Sequence, residues 1–200
     1  MKEFLRQNNL ELQIPALTAF DVTLNYVQKH YKKVKVYCRE YLLSHFSKIT
    51  SDTNPEAIVI GDIGENWNFK IMNEIFNYVL SGSEIIAMHK NKFWKPGNKF
   101  ILDSGTFINA IEYATEKRAI IIGKPSPLYF QTALELLGYN LNDKFFMIGD
   151  DLSNDIIAAQ ILGGSGILIL TGKTKMSDII DNEPDHIGNN LIEIKNFLSK

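Results

Sequence analysis

Lys144-Phe-Phe-Met-Ile-Gly-Asp-Asp-Leu-Ser-Asn-Asp-Ile156 decides how the rest of this chain is read. Its apolar run, Phe145 to Ile148, has the length and continuity of a buried parallel strand. Gly149 permits a sharp turn, and Asp150 then falls just past the strand's carboxyl end, where open α/β sheets place their ligands. Asp155 follows at the start of a helix expected to run to about Leu162 and to stop at Gly163-Gly164. Two carboxylates flanking such a turn offer hard oxygens suited to Mg²⁺, which takes one or two carboxylates and adds water and substrate phosphate. Asp, Ser and Asn ahead of a helix are also ordinary capping residues, so Asp151 to Asn154 is equally explained by the cap.

Working outward, Gly123-Lys-Pro-Ser-Pro127 precedes this stretch by about one βα unit. It lies between an apolar strand, Ala119 to Ile122, and a helix with Phe130, Ala133, Leu134 and Leu137 on one face. Ser126 as N-cap and Pro127 in the first turn set that helix start, and Gly138 stops it. Lys124 is thereby expected at a strand's carboxyl end, on the same sheet edge as Asp150. An ammonium beside metal-binding carboxylates is what phosphoryl transfer requires, because negative charge on the phosphate must be held as it moves. Gly-Lys-Pro alone is a weak signal; its order and spacing relative to Gly149-Asp-Asp151 make the pair specific.

The alternation extends in both directions. Strands are expected at Val34–Cys38, Ala57–Ile60, Glu84–Ala87 and Gly166–Leu170, and helices at Leu17–His30, Tyr41–Phe46, Phe69–Leu80, Gly105–Thr115 and Leu191–Leu198. Strands alternating with helices of this length imply βαβ units and parallel sheet, an α/β fold. Met1 to Leu10 looks like the tail of an amphipathic helix, broken at Ile14-Pro15. The stretch His89 to Lys99 is Lys- and Asn-rich and is expected to be a loop.

Composition bounds the function. With 200 residues, 45% apolar and 11% aromatic, the chain can bury a sizeable core, and its net charge of −2 gives no call for nucleic acid or an anionic membrane surface. The single cysteine, Cys38, excludes an internal disulfide and fits a reducing cytosol. No apolar run approaches a membrane span and no signal-peptide core opens the chain, so a cytoplasmic protein is expected. His30, His45 and His186 show no metal-ligand spacing. Gly163-Gly-Ser-Gly166 opens no helix and is not a dinucleotide fingerprint.

Several segments together carry a likeness: Ala57-Ile-Val-Ile-Gly-Asp62, Leu80-Ser-Gly-Ser-Glu-Ile-Ile-Ala-Met-His-Lys90, Ile111-Glu-Tyr-Ala-Thr115, Gly123-Lys-Pro-Ser-Pro127, Met147-Ile-Gly-Asp-Asp151 and Gly166-Ile-Leu-Ile-Leu-Thr-Gly-Lys173. On these the chain resembles subfamily IIA of the haloacid dehalogenase superfamily, the NagD-like phosphatases. Within it the chain most resembles the branch containing phospholysine phosphohistidine inorganic pyrophosphate phosphatase. The resemblance implies a Rossmann-like hydrolase core, incomplete at its N-terminus, with a large inserted α/β cap of the C2 type. It divides the chain into residues 1–14 as a remnant of the core, 15–122 as cap and 123–200 as the C-terminal core. It also implies a Mg²⁺-dependent phosphohydrolase of small phosphorylated molecules or pyrophosphate. Lys124 would be the catalytic lysine contacting phosphate and nucleophile, with Asp150 and Asp155 the Mg²⁺ residues and Asp151 a weaker candidate behind them. His89, Trp94 and Trp67 are candidates for the cap's substrate entrance, and a homodimer through the cap is the expected assembly. His89-Lys-Asn91 stands where much of the subfamily has Asn-x-Asp, which weakens any transfer of sugar-phosphate or nucleotide substrates.

Two of the family's motifs have no counterpart. Neither the D-x-D-G nucleophile motif nor the Thr/Ser-Asn motif after the next strand occurs in the sequence. Asp62 in Gly61-Asp-Ile-Gly64 is superficially similar but lacks the paired acid, and a turn role is expected for it. The expectation is a truncated sequence missing about two βα units, on the order of 60 residues, and inactive by itself. A second polypeptide supplying them, or a noncatalytic binding or dimerisation module, are the alternatives.

Overall fold

The computed structural model describes residues 15–94, 97–180 and 183–199. The amphipathic segment expected at Met1–Leu10, and with it the core remnant 1–14, lies outside them. The chain divides into two compact units, one spanning Leu17–Gly123 and the other formed by Lys124 onward with Pro15 and Ala16.

In the first unit the elements run α1 (Ala19–His30), β1 (Val34–Tyr37), α2 (Glu40–Leu43), β2 (Ala57–Ile60), α3 (Phe69–Leu80), β3 (Glu84–Ala87), β4 (Phe93–Trp94), β5 (Ile101–Leu102), α4 (Ser104–Thr115) and β6 (Ile120–Ile121). Thr18 caps α1 reciprocally: its hydroxyl accepts from the Asp21 amide at 3.2 Å, and the Asp21 carboxylate accepts from the Thr18 amide at 2.8 Å. Strands β1, β2, β3 and β6 form one parallel sheet in that order. Every residue of β2 is fully buried, as a strand covered on both faces must be. Ile58, Ile60 and Ile85 share a core with Ile75 of α3 and Ile108 of α4.

The second unit contains α5 (Pro127–Leu136), β7 (Phe146–Gly149), one π-helical turn (Leu152–Ile157), α6 (Ala158–Ile161), β8 (Ser165–Ile169), β9 (His186–Gly188) and α7 (Leu191–Leu198). Its sheet is also parallel, in the order β7-β8-β9. Phe130 of α5 packs with Ala158 and Ala159 against Phe145 and Met147.

Four expectations are corrected here. The strand of the opening stretch is not buried on both sides: Phe146 is 59% and Ile148 38% exposed. Side chains alternate across a strand, so Phe145 and Met147 reach the helices while Phe146 and Ile148 point the other way, on an edge strand whose one described partner is β8. The strand before Lys124 pairs with β3, so it does not belong to the sheet that carries Asp150. The loop His89–Lys99 contains a strand, because Phe93–Trp94 pairs antiparallel with Ile101–Leu102. Asp155 does not begin an α-helix; it lies within the wider π turn that precedes α6.

Candidate active site

Lys124, Asp150, Asp151, Asp155 and Lys173 gather near the carboxyl end of β7. Gly149 is its last residue, and a side chain there would collide with the Asp155 carboxylate, so the missing Cβ is what lets that carboxylate fold back against the strand end. Asp155 is 3% exposed, and its Oδ1 lies 2.6 Å from the Nζ of Lys124. Lys124 enters through a cis Lys124-Pro125 bond just ahead of α5, with Ser126 at the N-cap position and Pro127 in the first turn. Lys124 and Asp155 are thus brought together although no shared sheet edge places them.

Asp150 takes a different partner. Its Oδ2 accepts from the Lys173 amide at 2.9 Å, and its backbone carbonyl accepts from the Thr174 amide at 3.0 Å. A Cβ at Gly172 would overlap that same carboxylate oxygen, so glycine there is a condition of its position. The loop after β8 therefore clasps the loop after β7. Thr174, itself buried, closes the clasp by accepting from the Leu152 amide at 3.0 Å.

Asp151 caps the π turn. Its carboxylate accepts from the Asn154 amide at 3.1 Å and side chain at 2.9 Å, and pairs with Lys173 Nζ at 2.5 Å. Burial pushes this carboxyl up, but the Lys173 ammonium and the Asn154 donors outweigh it and hold the group below the usual carboxylate range. Gly172, Lys173 and Thr174 were given no role in the sequence reading. The signal for them was positional: Thr171-Gly-Lys173 stands just past a strand's carboxyl end, as Asp150 does.

The donor chemistry fits a hard divalent cation. Asp150 and Asp155 supply carboxylate oxygens at the end of one strand, and among the described residues no group of three or more His, Cys, Asp or Glu side chains gathers as a metal cluster. A carboxylate pair completed by water and phosphate is the set that Mg²⁺ accepts.

The cap candidates separate in the first unit. Trp67 and Trp94 line one cleft together with Arg39, Asp62, Glu65 and Phe107. His89 does not line it; its Nδ1 is 3.8 Å from Asp103 Oδ2. Asp62 is occupied as a turn residue, accepting from the Gly64 amide at 2.6 Å and from Arg39 at 2.7 and 3.0 Å. No described helix is long and apolar enough to cross a membrane.

A parallel α/β unit in which a lysine meets a buried acid beside a strand end is the arrangement set against known proteins. The HAD-hydrolase-like family matches residues 121–194. The chain is 31% identical over 176 residues to haloacid dehalogenase-like hydrolase domain-containing protein 2 of Mus musculus, covering 86% of this chain and 67% of that protein. It is 34% identical over 148 residues to human phospholysine phosphohistidine inorganic pyrophosphate phosphatase, covering 70% and 54%. The p-nitrophenyl phosphatase from Archaeoglobus fulgidus superposes with a TM-score of 0.85 at 24% identity, over 98% of this chain and 79% of that one. This chain belongs to the haloacid dehalogenase-like hydrolase family, and its fold is similar to that of NagD from E. coli, with a TM-score of 0.77 at 22% identity. It spans between 48% and 67% of the length of the haloacid dehalogenase-like relatives it matches.

Proposed function

We propose that this chain carries the lysine and metal-binding part of a Mg²⁺-dependent phosphohydrolase acting on small phosphorylated molecules or pyrophosphate. The observation that carries this reading is the contact of Lys124 Nζ with Asp155 Oδ1 at 2.6 Å, at the strand end where Asp150 is held by the loop after β8. Asp150 and Asp155 would hold the cation, which when bound neutralises charge on phosphoryl oxygens. Lys124, 37% exposed, keeps an ammonium within reach of an arriving phosphoryl group while its partner carboxylate fixes its direction. Asp151 and Lys173 brace the two loops rather than meet substrate. Nothing in these 200 residues is assigned the attacking carboxylate, because Asp62 is committed to Arg39 and Gly64.

The test is turnover of p-nitrophenyl phosphate by the 200-residue chain with and without Mg²⁺. Little or no turnover is expected. Robust turnover abolished by Lys124→Ala would overturn the view that none of these residues is the nucleophile. Mg²⁺ binding, read by calorimetry, is expected in the wild type and lost in Asp150→Asn.

A second reading, a binding or dimerisation module, is favoured by the β4–β5 hairpin, where Phe93, Trp94 and Leu102 are each more than half exposed. Apolar surface of this kind marks an interface, so we propose a homodimer through the Leu17–Gly123 unit. Light scattering is expected to give a dimer mass that Leu102→Asp reduces to a monomer; a wild-type monomer at all concentrations removes the proposal.

A further inference from the structure

A cleft of about 650 Å³ opens inside the Leu17–Gly123 unit, in the range of small-molecule sites. It lies where the chain leaves the carboxyl ends of β1 and β2, at Arg39 and at Asp62 to Trp67. Its walls are aromatic: Trp67 lies flat on Phe107, with ring centroids 4.5 Å apart and planes 9° apart, and Trp94 is contributed by β4.

The charges of the cleft are unequally used. Arg39, the one cation among the described lining residues, already donates to Asp62 Oδ2 through Nη2 at 2.7 Å and Nε at 3.0 Å. Its guanidinium is laid against Gly64, where a Cβ would come within 2.8 Å of Nη1. Asp62 is fixed in turn by the Gly64 amide at 2.6 Å. Arg39 and Asp62 therefore cancel, and both are immobilised. Glu65 lines the same cleft, is exposed, and has no hydrogen-bond or ion-pair partner among the described residues. Among the described residues, one uncompensated negative charge thus shares the cleft with indole and phenyl rings, whose faces are themselves negative. An anion entering here would meet Glu65 and an arginine already paired; a cation would meet a free carboxylate and ring faces.

We propose that this cleft binds an organic cation, an alkyl- or quaternary ammonium group, with Glu65 as counter-ion and the Trp67 and Trp94 rings as its apolar walls. The site is independent of the phosphohydrolase reading, and its occupancy is measured without turnover.

The chain has two tryptophans and both line this cleft, so intrinsic fluorescence reports on it directly. The full 200-residue chain is titrated with choline chloride, with its neutral isostere 3,3-dimethylbutan-1-ol, and with sodium benzoate, at constant ionic strength. Saturable quenching by choline is expected, with the neutral isostere about fivefold or more weaker and benzoate without effect. Glu65→Gln, an exposed and structurally mild change, is expected to weaken choline about fivefold and leave the isostere unchanged. Trp94→Phe keeps Trp67 as the sole reporter and is expected still to titrate. Equal affinity for choline and the isostere, tighter binding of benzoate, no saturable response to choline, or a Glu65→Gln variant with undiminished affinity each overturns the proposal.

Discussion

The two parallel sheets treat the same kind of residue in opposite ways. In β2 four consecutive apolar side chains are sealed off completely, whereas in β7 Phe146 and Ile148 face outward while Met147 and the preceding Phe145 pack inward. The first sheet has cover on both sides and little charge inside it. The second is covered on one side of β7 and carries Lys124, Asp150 and Asp155 at the end of that strand. A similar apolar run thus supports a sealed core in one place and a half-open strand in the other. What surrounds a strand, and not its own composition, fixes its burial.

The most forceful way to break this comparison is to cut the same volume from each sheet. Ile58→Ala, at a fully buried position of β2, is expected to cost about 3 kcal/mol in denaturant unfolding, while Ile148→Ala costs about 1 kcal/mol or less. Equal losses would show that the outer face of β7 is as well covered as the core of the other sheet.

Next in size are the buried carboxylates, one per unit among the described residues. Glu112, 2% exposed, accepts from Lys90 Nζ at 2.6 Å and from the Ala119 amide at 2.8 Å, with Arg118 at 3.4 Å. Burial pushes its carboxyl up, but these partners hold it below the usual range. Removing either partner of such a pair leaves an uncompensated polar group or charge. Lys90→Met is expected to cost about 3 kcal/mol, and Lys124→Met, which strands Asp155, about 2 kcal/mol. A Lys124→Met protein as stable as wild type would mean that Asp155 has another compensating group.

A smaller effect sharpens the site itself. Because the Asp151 carboxyl is held low in the folded protein, its contribution to stability is present above its ordinary pKa and is lost as pH falls through the folded value. Lys173→Ala is expected to move that carboxyl back toward the ordinary range, followed by carboxylate NMR shifts, so that this group contributes less stability at neutral pH and less is lost on acidification. No movement would place the brace elsewhere. The smallest effect belongs to Phe146→Lys, expected to change stability by about 0.5 kcal/mol or less despite replacing a phenyl ring in a strand.

Much of the fold was legible because punctuation and periodicity agree. Ser81-Gly82 ends α3 and Pro127 opens α5 as sequence chemistry requires. What escaped was non-local. Two residues each from Phe93–Trp94 and Ile101–Leu102 are too short to show alternation, and only their pairing makes them strands. His186–Gly188 carries no apolar run, so β9 exists through its partner β8. The membership of Ile120–Ile121 in one sheet or the other could not be read from its own residues. In the site, Lys124, Asp150 and Asp155 were visible by spacing, while Lys173 and Thr174 were not, because their importance lies in reaching across from another strand.

Gly172 sets a volume limit with a historical consequence. A single methyl at that position takes the space of an Asp150 oxygen, and it lies outside the paired stretches of β7, β8 and β9. A duplicated copy of this sequence released from selection could therefore drift at position 172, go on folding, and lose first the clasp that holds Asp150. In a set of descendants, an alanine or serine there would mark the lineages that had kept the scaffold and released the loop after β7.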